Sequence, residues 1–186
     1  MGRVEDLVSR YQSHIGTPWQ RNLAGAQKAI FVVYPKTDER RLRARLELFD
    51  MATTKTGHHW RLLDLTDAFA RWMAEMPYRD EYFENPVDLQ MRLRGDFVHF
   101  AAAELRRGLV APDVTADTVV AVHGVAALYG LTKLSLVLKE VEQDIKGRLV
   151  VFFPGEFENN NYRLLDARDG WNYLAVPITL HGGAIE

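Results

Sequence analysis

The chain contains no cysteine. That absence removes disulfides, thiolate metal sites and thiol nucleophiles together, and it fits a reducing compartment. Serine occurs only at Ser9, Ser13 and Ser135, and none stands in the G-x-S-x-G turn that raises a nucleophile at a strand end. No G-x-G-x-x-G, H-x-x-x-H or H-E-x-x-H is present, so the dinucleotide fingerprint and the helical metal-binding pair are missing. Nor is there an apolar run of about 18 residues that would cross a bilayer. Residues 1–15 alternate charged and apolar side chains, which is not the pattern of a signal peptide. A cytoplasmic location is expected. An excess of one charge is lacking too: 23 Lys and Arg stand against 25 Asp and Glu, a net charge of -2. Such a chain has no overall pull toward an anionic membrane, and direct nucleic-acid binding is not expected outside a larger complex.

What is present is the composition of a globular protein, 47% hydrophobic and 26% charged. A single domain over 1–186 is expected, long enough to bury a core without staples. Two apolar runs, Ala29-Ile30-Phe31-Val32-Val33-Tyr34 and Leu149-Val150-Val151-Phe152-Phe153, show no alternation, the mark of strands buried on both faces. The second meets Pro154-Gly155, a turn signal, and is expected to stop there and empty into a polar loop from Glu156 to Asn161. Shorter strands are expected at 59–63, 118–122, 162–165 and 173–180, the last two joined around Gly170.

Helical spacing of Val4, Leu7, Tyr11 and Ile15 predicts a helix over 3–15. A second, capped by Thr37 and striped by Leu42, Leu46 and Phe49, is expected to end at Gly57. Thr66 is the expected cap of a helix carrying Phe69, Trp72 and Met73. Longer helices are predicted over 87–107, with Leu89, Leu93, Phe97 and Phe100, and over 131–146, with Leu134, Leu138, Val141 and Ile145. Tyr78, Tyr82 and Phe83 suggest a packed connection over 77–86. Alternating apolar strands and helices predict an α/β domain with a mainly parallel central sheet flanked by helices on both faces. This is a P-loop-NTPase-like or Rossmann-like plan without a phosphate-binding loop. The nearest approach to that loop, Gly124 to Thr132, has its second glycine one place late at Gly130, and Lys133 follows Thr132 instead of preceding it.

In open α/β sheets ligands bind beyond the carboxyl ends of the strands. Asp64, His123, Glu156 and Asn159 fall there and form a candidate polar site. Asp64, Asp67 and Glu156 are placed for a metal or general-base role, although Asp67 also reads as a first-turn helix residue and Asp64 as a turn cap. His58 and His59, adjacent on a strand, point to opposite faces and cannot share one metal. No catalytic, cofactor or metal set is complete, and no cofactor is expected. Arg40, Arg41, Arg43 and Arg45 spread around the second helix, either as a solvated face or as a contact for phosphate or an acidic partner. Thr17-Pro18-Trp19-Gln20-Arg21-Asn22 and Trp171-Asn172-Tyr173 combine large aromatics with polar donors, the residue types that dominate interfaces. Trp19, Arg21, Arg40, Arg41, Trp171 and Tyr173 are therefore candidate partner-binding residues, with core packing the alternative for the aromatics.

The segment from Thr17 to Gly25, the strand ending Val33-Tyr34, and Asp38-Glu39-Arg40-Arg41-Leu42-Arg43 resemble the N-terminal half of the BrxB family, also known as DUF1788. Gly57-His58-His59-Trp60 and Asp64-Leu65-Thr66-Asp67 continue the likeness. His123-Gly124-Val125, Phe153-Pro154-Gly155-Glu156 and Asn172-Tyr173 are similar to the family's C-terminal pattern, so the resemblance runs over about residues 4–180. One place departs. Where the family has Y-Y-R-A, this chain reads Asn172-Tyr173-Leu174-Ala175, so a contact made through the second Tyr and the Arg is not carried over. The resemblance implies a small component of BREX, a bacterial phage-exclusion system. Its expected partners there are a PglZ-type alkaline-phosphatase-like protein, a large AAA-type ATPase and a DNA methyltransferase. It brings no catalytic residues. The expectation is a non-catalytic adaptor, the alternative a degenerate nucleotide-binding or small hydrolytic enzyme with acids at its strand ends.

Overall fold

A computed structural model describes residues 2–168 and 170–181. The two apolar runs are its centre. β1 (Ala29–Tyr34) and β4 (Arg148–Glu158) pair in parallel, from Ala29 opposite Leu149 to Tyr34 opposite Pro154. β3 (Thr118–His123) flanks β4, and β2 (His59–Asp64) lies outside it. β6 (Val176–Ile178) flanks β1, giving the order β2-β3-β4-β1-β6, parallel throughout. A short β5 (Asn161–Leu164) joins the far end of β4 in antiparallel pairing.

Helices cover both faces, because each central strand is apolar on both sides. On the first face lie α1 (Arg3–Ile15), α2 (Glu39–Arg43) and α3 (Leu46–Lys55). Leu7, Tyr11, Leu42 and Phe49 pack there against Ile30, Val32, Val150 and Phe152. On the second lie α4 (Ala68–Glu75), α6 (Leu89–Arg94), α7 (Asp96–Leu109) and α8 (Leu134–Val141), over Phe31, Val122, Val151 and Phe153. The α/β plan with a mainly parallel sheet is as the alternation predicts. Among the described residues no helix is long and apolar enough to cross a membrane.

Several local expectations are corrected. β4 does not stop at Pro154-Gly155; it runs on to Glu158 and exchanges its parallel neighbours for β5. Gly155 serves close approach, since a Cβ there would lie 2.0 Å from the Arg163 carbonyl oxygen. The turn is Asn159-Asn160, both left-handed at φ 51° and 60°, as a two-residue hairpin requires. Thr37 caps nothing: a 3-10 turn over Lys36–Asp38 leads into α2, which separates from α3 around Arg45. The long helix predicted over 87–107 is divided at Gly95 into α6 and α7. α8 ends early, at Val141, and continues as a 3-10 turn over Glu142–Asp144. Residues 77–86 contain α5 (Arg79–Glu84); of the three aromatics expected to pack this connection, Tyr82 lies against the core while Tyr78 and Phe83 turn to solvent.

Candidate functional site

Parallel pairing ends β2 and β3 in register, so Asp64 stands opposite His123 at the carboxyl edge of the sheet. His123 Nε2 lies 3.7 Å from Asp64 Oδ2. The other oxygen, Oδ1, accepts the Thr66 amide at 2.8 Å and the Thr66 hydroxyl at 2.5 Å. Asp64 thereby closes an Asx turn on its own backbone. Thr66 does not cap α4 as expected, because its hydroxyl is committed to Asp64 and accepts Arg43 Nη2 at 3.0 Å. Arg43 Nε donates to Glu39 Oε1 at 2.6 Å, and the Tyr34 hydroxyl donates to Glu39 Oε2, also at 2.6 Å. A polar relay thus crosses the sheet's end: Tyr34 from β1, Glu39 and Arg43 from α2, Thr66 and Asp64 after β2, and His123 from β3. Gly124 makes it possible. Its φ is +81°, and a Cβ there would meet Thr66 Oγ1 at 2.5 Å and the Thr66 nitrogen at 2.6 Å.

Burial, then the hydrogen bond and charge of Glu39, push the Tyr34 phenol far up, so it stays a donor. Burial acts to raise Asp64, but the Thr66 bonds and the His123 and Arg43 charges outweigh it and hold the carboxyl low. Burial lowers His123, with Arg43 adding to it and Asp64 opposing. At neutral pH the pair is an anionic carboxylate beside a neutral imidazole. His123 Nδ1 is buried and has no partner among the described residues. The arrangement can accept a proton or a donor group at the imidazole, but every nucleophile near it is engaged. Among the described residues no group of three or more metal-ligating side chains converges.

Of the four strand-end candidates the structure joins two, Asp64 and His123. Glu156 and Asn159 belong to the β4–β5 hairpin instead. Glu156 is exposed and 3.7 Å from Arg163, and Asn159 makes the turn. The aromatic candidates are structural in large part. Trp19 donates Nε1 to the Ile15 carbonyl, stacks on His58 at 3.8 Å and lies under the Arg148 guanidinium at 4.7 Å. Arg148, buried at the start of β4, is satisfied by the Gly147 and Gln20 carbonyls and this ring. Trp171 packs on Phe31 and Phe153 across the other face, and the Tyr173 hydroxyl donates to Glu142 at 3.2 Å. The two aromatic segments therefore lie on opposite sides of the sheet.

Arg21, Arg40 and Arg41 are exposed. The arginine run is largely neutralised in place: Arg41 approaches Asp38 at 3.7 Å, Arg43 binds Glu39, and Arg45 binds Glu5 of α1. It fastens α2 to its surroundings more than it builds a basic surface. What the sequence reading missed is a solvent-facing apolar stretch over 78–91. Tyr78 is 64% exposed, Phe83 66%, Val87 75% and Met91 86%. The signal for it is the setting of these aromatics among Asp80, Glu81, Glu84 and Asp88. No family model, curated protein or solved structure matches the chain.

The His123 environment makes stability pH-dependent. Its folded value lies below the ordinary 6.5, so the folded state binds fewer protons than the unfolded one. That contribution is full above about 6.5 and is lost as pH falls through the lower folded value. His14 is lowered by burial too and acts in the same sense. Thermal midpoints from about pH 7.5 down to about 5 should therefore fall less in His123→Gln than in the parent, with the His14 slope remaining. Identical slopes would show that the His123 imidazole is as easily charged folded as unfolded.

Proposed function

We propose that this protein is a non-catalytic adaptor of a BREX-like anti-phage complex, binding a PglZ-type alkaline-phosphatase-like protein or a large AAA-type ATPase, with the DNA methyltransferase as a further neighbour. The observation that carries a binding role is the exposed stretch of Tyr78, Phe83, Val87 and Met91. We read these four large apolar side chains, exposed within one short segment, as the surface that meets another molecule. The resemblance to the BrxB family supplies the identity of the partners. The relay at the sheet's end supports the same reading, because Glu39 is engaged by Tyr34 and Arg43, and one oxygen of Asp64 by Thr66.

The test is direct calorimetric titration of the chain with each of the three partners from one BREX-type operon. Val87→Asp with Met91→Asp should weaken the productive pairing about tenfold or more, since central apolar contacts dominate binding energy. Undiminished binding would move the interface to the exposed Arg21, Arg40 and Arg41. Failure of all three partners to bind would sink the adaptor reading.

The unpartnered Nδ1 of His123 favours a second reading, a small ligand at the Asp64–His123 pair. Saturation at a hundred times the dissociation constant adds about 2.7 kcal/mol, an easily read thermal shift. Nucleotides with magnesium are the first ligands to screen, and no shift with any of them would dispose of the nucleotide-binding form.

A further inference from the structure

The two edges of the sheet are treated differently. β6 is three residues long with Pro177 at its centre, features that blunt an edge against further pairing. β2 has neither. Its six residues, His59-Trp60-Arg61-Leu62-Leu63-Asp64, hold no Pro, Gly or bulge and pair without interruption to β3.

The direction of its free groups follows from its bonds. The His59 amide donates to the Asp117 carbonyl, and the Leu65 amide to the His123 carbonyl. Odd-numbered residues thus face β3, and alternation turns the N–H and C=O groups of Trp60, Leu62 and Asp64 outward. Among the described residues β2 pairs with β3 alone, so those groups have no ladder partner, nor do they bond any turn or loop. Leu62 itself is 40% exposed.

We propose that β2 pairs antiparallel with β2 of a second copy, making one continuous sheet through a two-fold axis. The strand is self-complementary in a single best register. The axis must be perpendicular to the sheet, so residues that face each other lie on the same side of it. Two registers keep most of the strand paired. One is centred on Arg61 and sets that guanidinium against its own copy, a repulsive arrangement. The other is centred on Leu62. It sets Leu62 against Leu62, Trp60 against Asp64, and Arg61 against Leu63 of the second copy, with no like charges opposed. In this register the outward groups of Trp60, Leu62 and Asp64 all find partners, whereas centring on Arg61 leaves those of Asp64 beyond the paired strand. The exposed leucine is covered by the axis. Edge pairing of this length is a small interface, so a monomer–dimer equilibrium is expected in place of an obligate dimer.

The chain's lack of cysteine gives a clean test. Hydrogen-bonded antiparallel partners have Cα atoms about 5.5 Å apart, within the span of a disulfide. Leu62→Cys should therefore oxidise to a reducible dimer, while Met51→Cys, exposed on α3, should not. Sedimentation velocity on the unmodified chain should show a concentration-dependent species of twice the monomer mass. Leu62→Lys, which leaves the ladder to β3 intact, should raise the dissociation constant at least tenfold. Circular dichroism on that variant checks that it is folded. A chain that stays monomeric at several hundred micromolar, a dimer indifferent to Leu62→Lys, or cross-linking through Met51→Cys in place of Leu62→Cys would each overturn the proposal.

Discussion

Phe31→Ala is expected to lower the free energy of unfolding by about 3–5 kcal/mol. Phe31 is fully buried on β1, between α-helical cover and the C-terminal aromatic segment. Its ring centroid lies 4.6 Å from Tyr162, 5.4 Å from Phe153, and 5.8 Å from both Trp171 and Tyr173. Truncation removes the one ring these four share. The cavity cannot close easily, because Phe153 is fixed in β4 and Tyr162 donates its hydroxyl to the Ala175 carbonyl at 2.7 Å. Against a total stability of about 5–15 kcal/mol the loss is large enough to see as a drop in the urea midpoint at unchanged slope. A loss below about 1.5 kcal/mol would mean that the 171–175 segment collapses into the space, and that this part of the second face is less tightly packed than its geometry implies.

The same ring shows where the sequence was readable. Phe31 lies in a short β-branched and aromatic run with no alternation, stopped by Pro35, and its length and flank favour a strand buried on both faces. α1 was readable for a related reason, since Val4, Leu7, Tyr11 and Ile15 repeat with the helical period and all four are buried. Pro154-Gly155 misled because the dipeptide is a turn signal only when nothing else needs the glycine. Here the Arg163 carbonyl needs it, and the left-handed Asn159-Asn160 makes the turn. Trp171 and Tyr173 were ambiguous in composition, because the aromatics that anchor interfaces also fill cores. Only their distances to Phe31 decide it.

The site was half legible. Asp64 and His123 follow from the rule that loops after parallel strands gather at one end of the sheet. Glu39, Arg43 and Tyr34 do not follow from any local pattern. They join the relay because α2 leaves β1 and passes over the sheet's end, which is a consequence of strand order. In sequence Arg43 was one arginine among four. In the fold it is the one that bridges Glu39 to Thr66. The segment over 78–91 divides in the opposite direction: composition does not distinguish Tyr82, which packs against the core, from Tyr78 and Phe83, which do not.

The second large effect is expected at the relay's tightest point. Gly124→Ala should cost about 3 kcal/mol, combining a left-handed backbone that alanine resists with overpacking against fixed atoms. The new Cβ would stand 2.5 Å from Thr66 Oγ1, 2.6 Å from the Thr66 nitrogen and 2.8 Å from Asp64 Oδ1. A flexible side chain could step aside; a backbone nitrogen held by the Asx turn cannot. Gly57→Ala is the matched control, since its φ of +86° is similar but nothing lies within 4 Å of the added Cβ. That control should lose only the conformational part, about 1–2 kcal/mol. The difference between the two variants, read as thermal or urea midpoints, isolates the close approach. Opening the Asx turn would also draw Asp64 away from His123, removing the charge that opposes its downward shift. Gly124→Ala should therefore push His123 lower still, and its imidazole signals should titrate at more acidic pH than in the parent. Equal losses for the two glycine variants, with an unmoved His123 titration, would mean that the carboxyl edge yields to an added methyl group, and that the relay there is loosely held.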